Sequence, residues 1–474
     1  MTRGTLAGAI IAVFLTACMV GPDYRRPKTE VPDQYRVAPQ QGAPNADTMW
    51  WKQFGDPVLD QLIDEALAHN NDVKVAAANV EAASGLLTQV RSPLFPQINY
   101  GAHAGRYKFS QSTTIALPAG LSNPTSYFDV LAGASWEIDL WGRVRRQVQG
   151  AQANVLATEE ARQGVVLTLI TQLATSYVQL RSLDEQLVVA QRTLDAYAGE
   201  LKITKDKFEF GQVSQMNVAQ VQSRYETVAA RIPDIRNQMV ITENAIAVLL
   251  GRNPGEVTRG KALADLAAPP VPEGVPSELL ERRPDILQAE QQLVSATAQI
   301  GAAKAQYFPS ISLTGQYGSG STELNQLFKG ATNTWNYVGT ITGPIFRAGA
   351  ISGQVTEAKA SQQAALFNYQ RVIQNAFADV DDALSSHAQV LEQVAAQERL
   401  VKALTDYSQL ARLQYDGGYA PYSTVLQAEQ QLFPEELTLA TLRAQALSSV
   451  IGIYRALGGG WVNEAAKRTA SLTP

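Results

Sequence analysis

Cysteine is the most nucleophilic side chain a protein carries at neutral pH, and this chain of 474 residues has one, Cys18. It follows Leu15-Thr16-Ala17, behind an apolar run from Leu6 to Leu15 that begins just after Arg3. A basic start, a short apolar run and small residues make an export signal, and the run is too short for a bilayer core of about 30 Å. The cysteine stands where a bacterial lipobox puts it, so the expected chemistry is lipidation of Cys18 after removal of residues 1–17. Met19 is not the aspartate that retains lipoproteins at the inner membrane, which favours sorting to the outer membrane. Each buried acyl CH₂ contributes about 0.8 kcal/mol to anchoring. The other reactive groups make no constellation. His69, His103 and His387 are far apart and lack ligand spacing. Met19, Met49, Met216 and Met239 are too few for a soft-metal path. No phosphate-binding loop and no nucleophile–histidine pairing occur. The sequence therefore predicts no catalytic residues, no metal, no cofactor and no enzyme. Charged residues are 18% with a net charge of -5, so nothing argues for nucleic acid.

The positional signals are stronger. Val166, Leu173, Leu180, Leu187, Leu194, Leu201 and Phe208 form an apolar heptad, the spacing of a long coiled-coil helix. Gly211 stops it, and Val218, Val221, Tyr225, Val228 and Ile232 begin a second helical pattern. Residues 208–214 are thus the tip of a helical hairpin. The tip returns at 415–421, with Gly418 for Gly211, Tyr415 for Phe208 and Val425 for Val218. The heptad returns as Ile373, Val380, His387, Val394, Val401, Ser408 and Tyr415, with two polar lapses. Correspondence without gaps from Gly142 and Gly349 to Leu250 and Leu457 predicts an internal duplication. Arg143 to Lys207 would be a helix of roughly 98 Å. Its charges, among them Glu159, Arg181, Asp184 and Arg192, place it in water. Pro233 and Pro434 are expected to kink or interrupt the returning helices.

Between the helices the period changes to two. Val130, Ala132, Ala134, Trp136 and Ile138 alternate with Asp129, Leu131, Gly133, Ser135 and Glu137. Ile311, Leu313, Gly315 and Tyr317 alternate with Ser312, Thr314 and Gln316, and Tyr337 to Ile345 behave likewise. Gln97 to Arg106 is the weakest strand of the four. Variable loops are expected at Ser110 to Ser126 and Gly318 to Thr334. Such strands suit an outer-membrane barrel, an ordinary half-buried sandwich being the alternative. Four strands cannot close a barrel, and lipid forbids an open edge. Three copies would supply twelve, an even number within the observed range.

The expected organisation is a signal peptide (1–17), a lipidated strap (18–57), a first repeat (58–251), a mid-height connector (252–277), a second repeat (278–458) and a short tail (459–474). In the strap, Trp50-Trp51-Lys52-Gln53-Phe54 is an aromatic dock, and Asp56-Pro57 begins a helix that runs to about Val90.

With these residues in view, the chain resembles the TolC-like outer-membrane efflux factors, in their lipidated OprM-like (NodT-type) branch. The motifs are Cys18-Met19-Val20-Gly21-Pro22-Asp23-Tyr24-Arg25-Arg26-Pro27, Trp50 to Pro57, Asp139-Leu140-Trp141-Gly142-Arg143, Arg282-Arg283-Pro284-Asp285-Ile286, Gly343-Pro344-Ile345-Phe346 and Leu457-Gly458-Gly459-Gly460-Trp461. The resemblance implies an α/β membrane protein: a homotrimeric 12-stranded transmembrane β-barrel continuous with a long 12-helix periplasmic α-barrel. It implies a passive duct for drugs or other small toxic molecules. The partners would be a periplasmic adaptor protein, an inner-membrane RND-type transporter and outer-membrane lipid. The alternative is the outer-membrane duct of a type I protein secretion system. The resemblance places adaptor docking at the tips, here Gly211, Val213, Ser214, Gly418, Ala420 and Pro421. It places the periplasmic gate on the returning helices. The family's aspartates fall where this chain has Asn217 and Gln220, then Thr424 and Gln427, with Asp416 and Glu429 the nearest acids. A ring of Gln427 would be neutral, free of the repulsion between packed carboxylates.

Overall fold

The computed structural model describes residues 19–32, 34–36, 49–110, 112, 122–271 and 279–459. Cys18, the export signal and the tail from Gly460 onward lie outside the described residues. The elements are α1 (Pro57–His69), α2 (Asn71–Arg91), β1 (Gln97–Tyr107), β2 (Thr125–Ile138), α3 (Arg143–Glu209), α4 (Gln215–Leu249), α5 (Leu279–Arg282), α6 (Pro284–Ala305), β3 (Ser310–Ser321), β4 (Asn333–Thr342), α7 (Ala350–Asp416) and α8 (Tyr422–Ala456). The duplication is plain in their lengths. Helices α3 and α7 each have 67 residues, and α4 and α8 each have 35. Equal lengths of the corresponding helices mean that the helical register is kept between the halves. None of the described helices is long and apolar enough to cross a membrane.

The chain divides into two compact units, and each draws on both halves of the sequence. One takes the described residues within Met1–Lys28, Asn79–Thr158 and Ala289–Tyr369; the other takes those within Thr29–Ala78, Glu159–Gln288 and Gln370–Pro474.

The first unit holds the sheet. Its order is β1-β2-β3-β4, antiparallel throughout, so β2 and β3 join the two halves of the duplication at its centre. The strands are longer than their alternation suggests. β3 runs on to Ser321 and β4 starts at Asn333, so the loop is shorter than Gly318 to Thr334. Gly318 and Gly320 conceal the continuation, because they pair with Leu131 and Asp129 but carry no side chain to mark a face. A Cβ on Gly318 would meet Val130 O at 2.1 Å. β2 likewise begins at Thr125, opposite Tyr107, inside the expected first loop.

The second unit holds the larger core. Trp50, Trp51 and Phe54 are buried in it with Leu59, Ile63, Leu173 and Tyr177. Trp50 stacks on Tyr454 at 5.4 Å. Asp56 caps α1 by accepting from Val58 N at 2.9 Å. The same carboxylate accepts from Tyr177 Oη at 2.6 Å and Lys261 N at 3.0 Å, so one buried acid ties α1, α3 and the connector. A single helix from Val58 to about Val90 is not what forms. Asn70 leaves helical geometry, accepts from Val73 N at 3.0 Å and donates to Leu249 O at 2.9 Å. A short amide side chain that satisfies the backbone on both sides is the usual reason for such a break. Pro233 and Pro434 do not interrupt the returning helices α4 and α8, one of the two effects expected of them. Both prolines are exposed, so the carbonyl each one frees can reach solvent.

The heptad packs unevenly. Val166, Leu173 and Leu180 are fully buried, Leu187, Leu194 and Leu201 partly so, and Phe208 is exposed. One polar lapse has a partner: His387 Nδ1 lies 2.8 Å from Ser449 Oγ, and burial lowers the imidazole pKa.

Candidate functional site

The register gives the sheet two chemically distinct faces. Ile98, Tyr100, Val130, Ala132, Trp136, Leu313, Tyr317, Trp335, Tyr337 and Ile341 share one face. Asn99, His103, Asp129, Ser135, Glu137, Thr314, Gln316, Asn336 and Thr340 share the other, interrupted by Leu131 and Val338. On the apolar face Trp335 stacks on Tyr337 at 5.8 Å. On the polar face His103 Nδ1 lies 2.8 Å from Asp129 Oδ2, and Gln316 faces Asn336. β1 and β4 are the two edges. A strip of alternating strands with aromatics on the apolar side and open edges is a segment of a barrel wall.

The strap that follows Cys18 is held against this unit. Val20 N donates to Trp141 O at 3.1 Å. Arg146, only 2% exposed, donates to Val20 O, Gly21 O and Asp23 Oδ1 at 3.2, 3.3 and 2.9 Å. Gly21 passes so close to Gly301 that a Cβ would sit 2.4 Å from the Gly301 Cα. Glu290 receives Tyr24 Oη at 2.9 Å and Arg26 Nε and Nη2 at 2.8 and 2.5 Å. Burial would raise the Glu290 pKa, but the hydrogen bonds from Arg26 and Tyr24 prevail and hold it below the usual carboxylate value. The family motif around Tyr24 and Arg26 was visible in the sequence; its partner Glu290, on α6, was not.

The hairpin tips in the second unit are built alike. At the first, Gly211 N bonds Phe208 O at 2.9 Å and Gln212 N bonds Lys207 O at 2.8 Å. At the second, Gly418 N bonds Tyr415 O at 2.9 Å and Tyr419 N bonds Gln414 O at 2.8 Å. These are Schellman ends, which require the left-handed φ of +67° and +76° that the two glycines adopt. Ser214 then caps α4 in a reciprocal box with Asn217. Pro421 begins α8 without a side-chain cap; Ala420 N bonds Gln414 O, and Thr424 N bonds Pro421 O. Val213 is half-buried, whereas Phe210 and Tyr419 are exposed at the tips.

Of the residues expected near the gate, the structure gathers Gln220, Gln427 and Glu429 on one cavity of about 570 Å³. Asn217 is used in the cap, Thr424 is half-buried beside Pro421, and Asp416 is exposed at the end of α7. A second cavity, of about 680 Å³, shares Tyr197, Glu429 and Phe433 with the first and adds Glu200 and Arg412. Glu200, Arg224 and Arg412 went unnoticed in the sequence, where single charges on long amphipathic helices read as solvated. Arg224 Nη1 lies 3.5 Å from Glu429 Oε2, and its guanidinium stands 5.9 Å from the Tyr197 ring centre. Burial, and secondarily the charge of Glu429, pushes the Glu200 pKa up to about 7. Burial also raises Glu429, although Arg224 and Arg412 oppose it. Among the described residues no group of three or more His, Cys, Asp or Glu side chains is placed to hold a metal ion.

A two-faced strand wall and paired long helical hairpins, encoded by duplication, define a subunit of an outer-membrane channel. The sequence of the outer membrane efflux protein family matches this chain at residues 62–252 and 275–459. The antibiotic efflux pump outer membrane protein ArpC of Pseudomonas putida is 33% identical over 472 residues, covering 98% of this chain and 97% of the relative. The cation efflux system protein CusC of Escherichia coli O157:H7 is 33% identical over 461 residues, covering 95% and 97%. The crystal structure of the open state of the Neisseria gonorrhoeae MtrE outer membrane channel is 30% identical, covers 94% of this chain and 99% of that one, and superposes with a TM-score of 0.84. The chain belongs to the outer membrane efflux protein family. It is accordingly an outer-membrane channel component of an efflux system, its strands in the membrane and its helices in the periplasm, and its family is one of transport channels.

Proposed function

We propose that three copies of this chain close a passive exit duct that carries small toxic molecules across the periplasm and outer membrane. The observation that supports it most is the sheet: four strands with an apolar and a polar face and both edges free, a wall that cannot stand in lipid until β1 of one copy meets β4 of another. Acyl groups on Cys18 would anchor each copy beside the wall, with the strap fixing where they enter. The tips at Gly211, Val213 and Ser214, and at Gly418, Ala420 and Pro421, would receive a periplasmic adaptor that couples the duct to an RND-type inner-membrane pump. Asn217, Gln220, Asp416, Thr424, Gln427 and Glu429 line or flank the periplasmic gate in this reading. Gln220 and Gln427 on a shared cavity are consistent with a constriction made by neutral amides. Relatives named for antibiotic and for cation efflux favour selection by the pump over selection by the duct.

Deletion of the gene followed by a susceptibility panel tests the reading. The expected result is at least fourfold sensitisation to several unrelated small toxic molecules, with no change in exported proteins. Loss of one secreted protein with unchanged susceptibility would instead support the secretion duct.

A further inference from the structure

The polar face of the sheet changes character at one end. α2, α3, α6 and α7 all join the strands at the end marked by Gln97 and Ile138, so the end marked by Tyr107 and Thr125 is the outer mouth. On β1 the polar face reads Gly101, His103, Gly105 and Tyr107, a glycine alternating with a ring. Tyr127 stands opposite Gly105 on β2 and leans across it: a Cβ on Gly105 would meet Tyr127 Cε1 at 2.1 Å. The bare backbone of the glycine is the seat of that ring. Tyr107 stacks on Tyr127 with ring centres 4.9 Å apart and planes 11° apart, and it is 56% exposed. Phe109 tilts beside Tyr107 at 6.4 Å. One amide pins its backbone twice: Phe109 N donates to Asn123 Oδ1 at 2.9 Å, and Phe109 O accepts from Asn123 Nδ2 at 2.8 Å. Neither lipid contact nor a protein core accounts for stacked rings on the face that meets water. A carboxylate lies below them. Asp129 is two residues from Tyr127 on the same face, about 7 Å along the strand. Its Oδ2 lies 2.8 Å from His103 Nδ1, and the side chain is 21% exposed. Arg106 is on the opposite face by register.

We propose that Tyr107, Tyr127 and Asp129 form an exit subsite in each copy, which holds planar organic cations as they leave the duct. The inference rests on the duct reading and names a substrate class for it. The face of an aromatic ring carries negative charge density, so a flat cation gains both stacking and cation–π attraction over Tyr107. The Asp129 carboxylate adds attraction for the same charge and repels anions. Gly105 lets the Tyr127 ring lie against the wall instead of projecting into the bore, so the subsite narrows the passage little. Contact through exposed rings is weak and brief. The subsite therefore delays a cation at the mouth without choosing what the pump delivers.

Fluorescence anisotropy of ethidium, a flat permanent cation, titrated with the full-length protein in detergent tests this. The wild type is expected to bind the dye saturably, one per subunit. Tyr127→Leu removes a ring and should weaken binding about three- to tenfold. Asp129→Asn should weaken it by a similar factor. Gly105→Ala keeps every aromatic and charged group but forces the Tyr127 ring off its seat, so it should weaken binding as Tyr127→Leu does. Tyr337→Leu, on the apolar face, should bind like the wild type and shows what the micelle itself takes up. A planar anion, naphthalene-1,5-disulfonate, should not displace the dye. Equal affinity in the wild type, Tyr127→Leu and Gly105→Ala, or no saturable binding at all, would overturn the subsite. Displacement by the anion would overturn its preference for cations. Planar-bilayer conductance separates the two readings: dye binding that follows these variants in a protein that never conducts would count against the duct and leave the subsite standing, whereas a conducting protein whose dye binding ignores them would do the reverse.

Discussion

Glu290 shows how one carboxylate can fix where a strap lies. Its side chain is the shared acceptor of Tyr24 and Arg26, and it is buried on α6 while Arg26 remains partly exposed. Losing the acid leaves two donors to find other partners, and charge-assisted hydrogen bonds of this kind contribute about 1.5–3 kcal/mol. Because the Glu290 pKa is held low, its contribution is present above the ordinary carboxylate range and is lost as pH falls through the lowered value. Hydroxyl-radical footprinting of Tyr24 should therefore show little change in the wild type from pH 7 down to about pH 4, then increasing exposure. Glu290→Gln should give several-fold higher Tyr24 labelling already at pH 7. Equal labelling of the two proteins at pH 7 would mean that Arg146 and the Gly21–Gly301 contact hold the strap without this acid.

The two hairpins look interchangeable in sequence but differ at the first turn of their returning helices. Ser214 and Asn217 satisfy each other's backbone at the start of α4, whereas Pro421 offers α8 no side-chain acceptor. A cap of this kind stabilises a helix end by about 1 kcal/mol, roughly a fivefold change in local opening. Amides of residues 216–218 should thus exchange about fivefold more slowly than those of 423–425, and Ser214→Ala should erase the difference. A Ser214→Ala protein with undiminished protection would show that the tip is held by packing alone. The tips themselves were legible because glycine after an apolar heptad signals a left-handed stop, and both stops form with the same hydrogen bonds. Three features at this scale were not legible. Asn70 divides a continuous helical pattern through contacts made far along the chain at Leu249. Pro233 and Pro434 leave α4 and α8 unbroken, and both face outward. The Glu200–Arg224–Arg412–Glu429 cluster depends on four helices meeting at one level, which heptad spacing along one helix does not report.

At the scale of the whole molecule, the sheet makes sense only as part of something larger. Side chains alternate with a period of two, so neighbouring residues on β4 face opposite media once a wall closes. Tyr337 lies on the apolar face beside Trp335, and Asn336 lies on the polar face opposite Gln316. If three copies complete the wall, the apolar face meets lipid and the polar face lines water. Tyr337→Lys would then put a charge into hydrocarbon at a cost of about 2–4 kcal/mol near the midplane, repeated in each copy. Asn336→Lys would put the same charge one residue away into the lumen. The first variant should lose most of its heat-resistant trimer on cold denaturing electrophoresis. The second should keep its trimer and shift conductance and ion selectivity towards anions. Were both lysines tolerated equally, or were the purified mature chain a water-soluble monomer folded without detergent, the two faces would not be meeting lipid and water, and no copy would need another to complete its sheet.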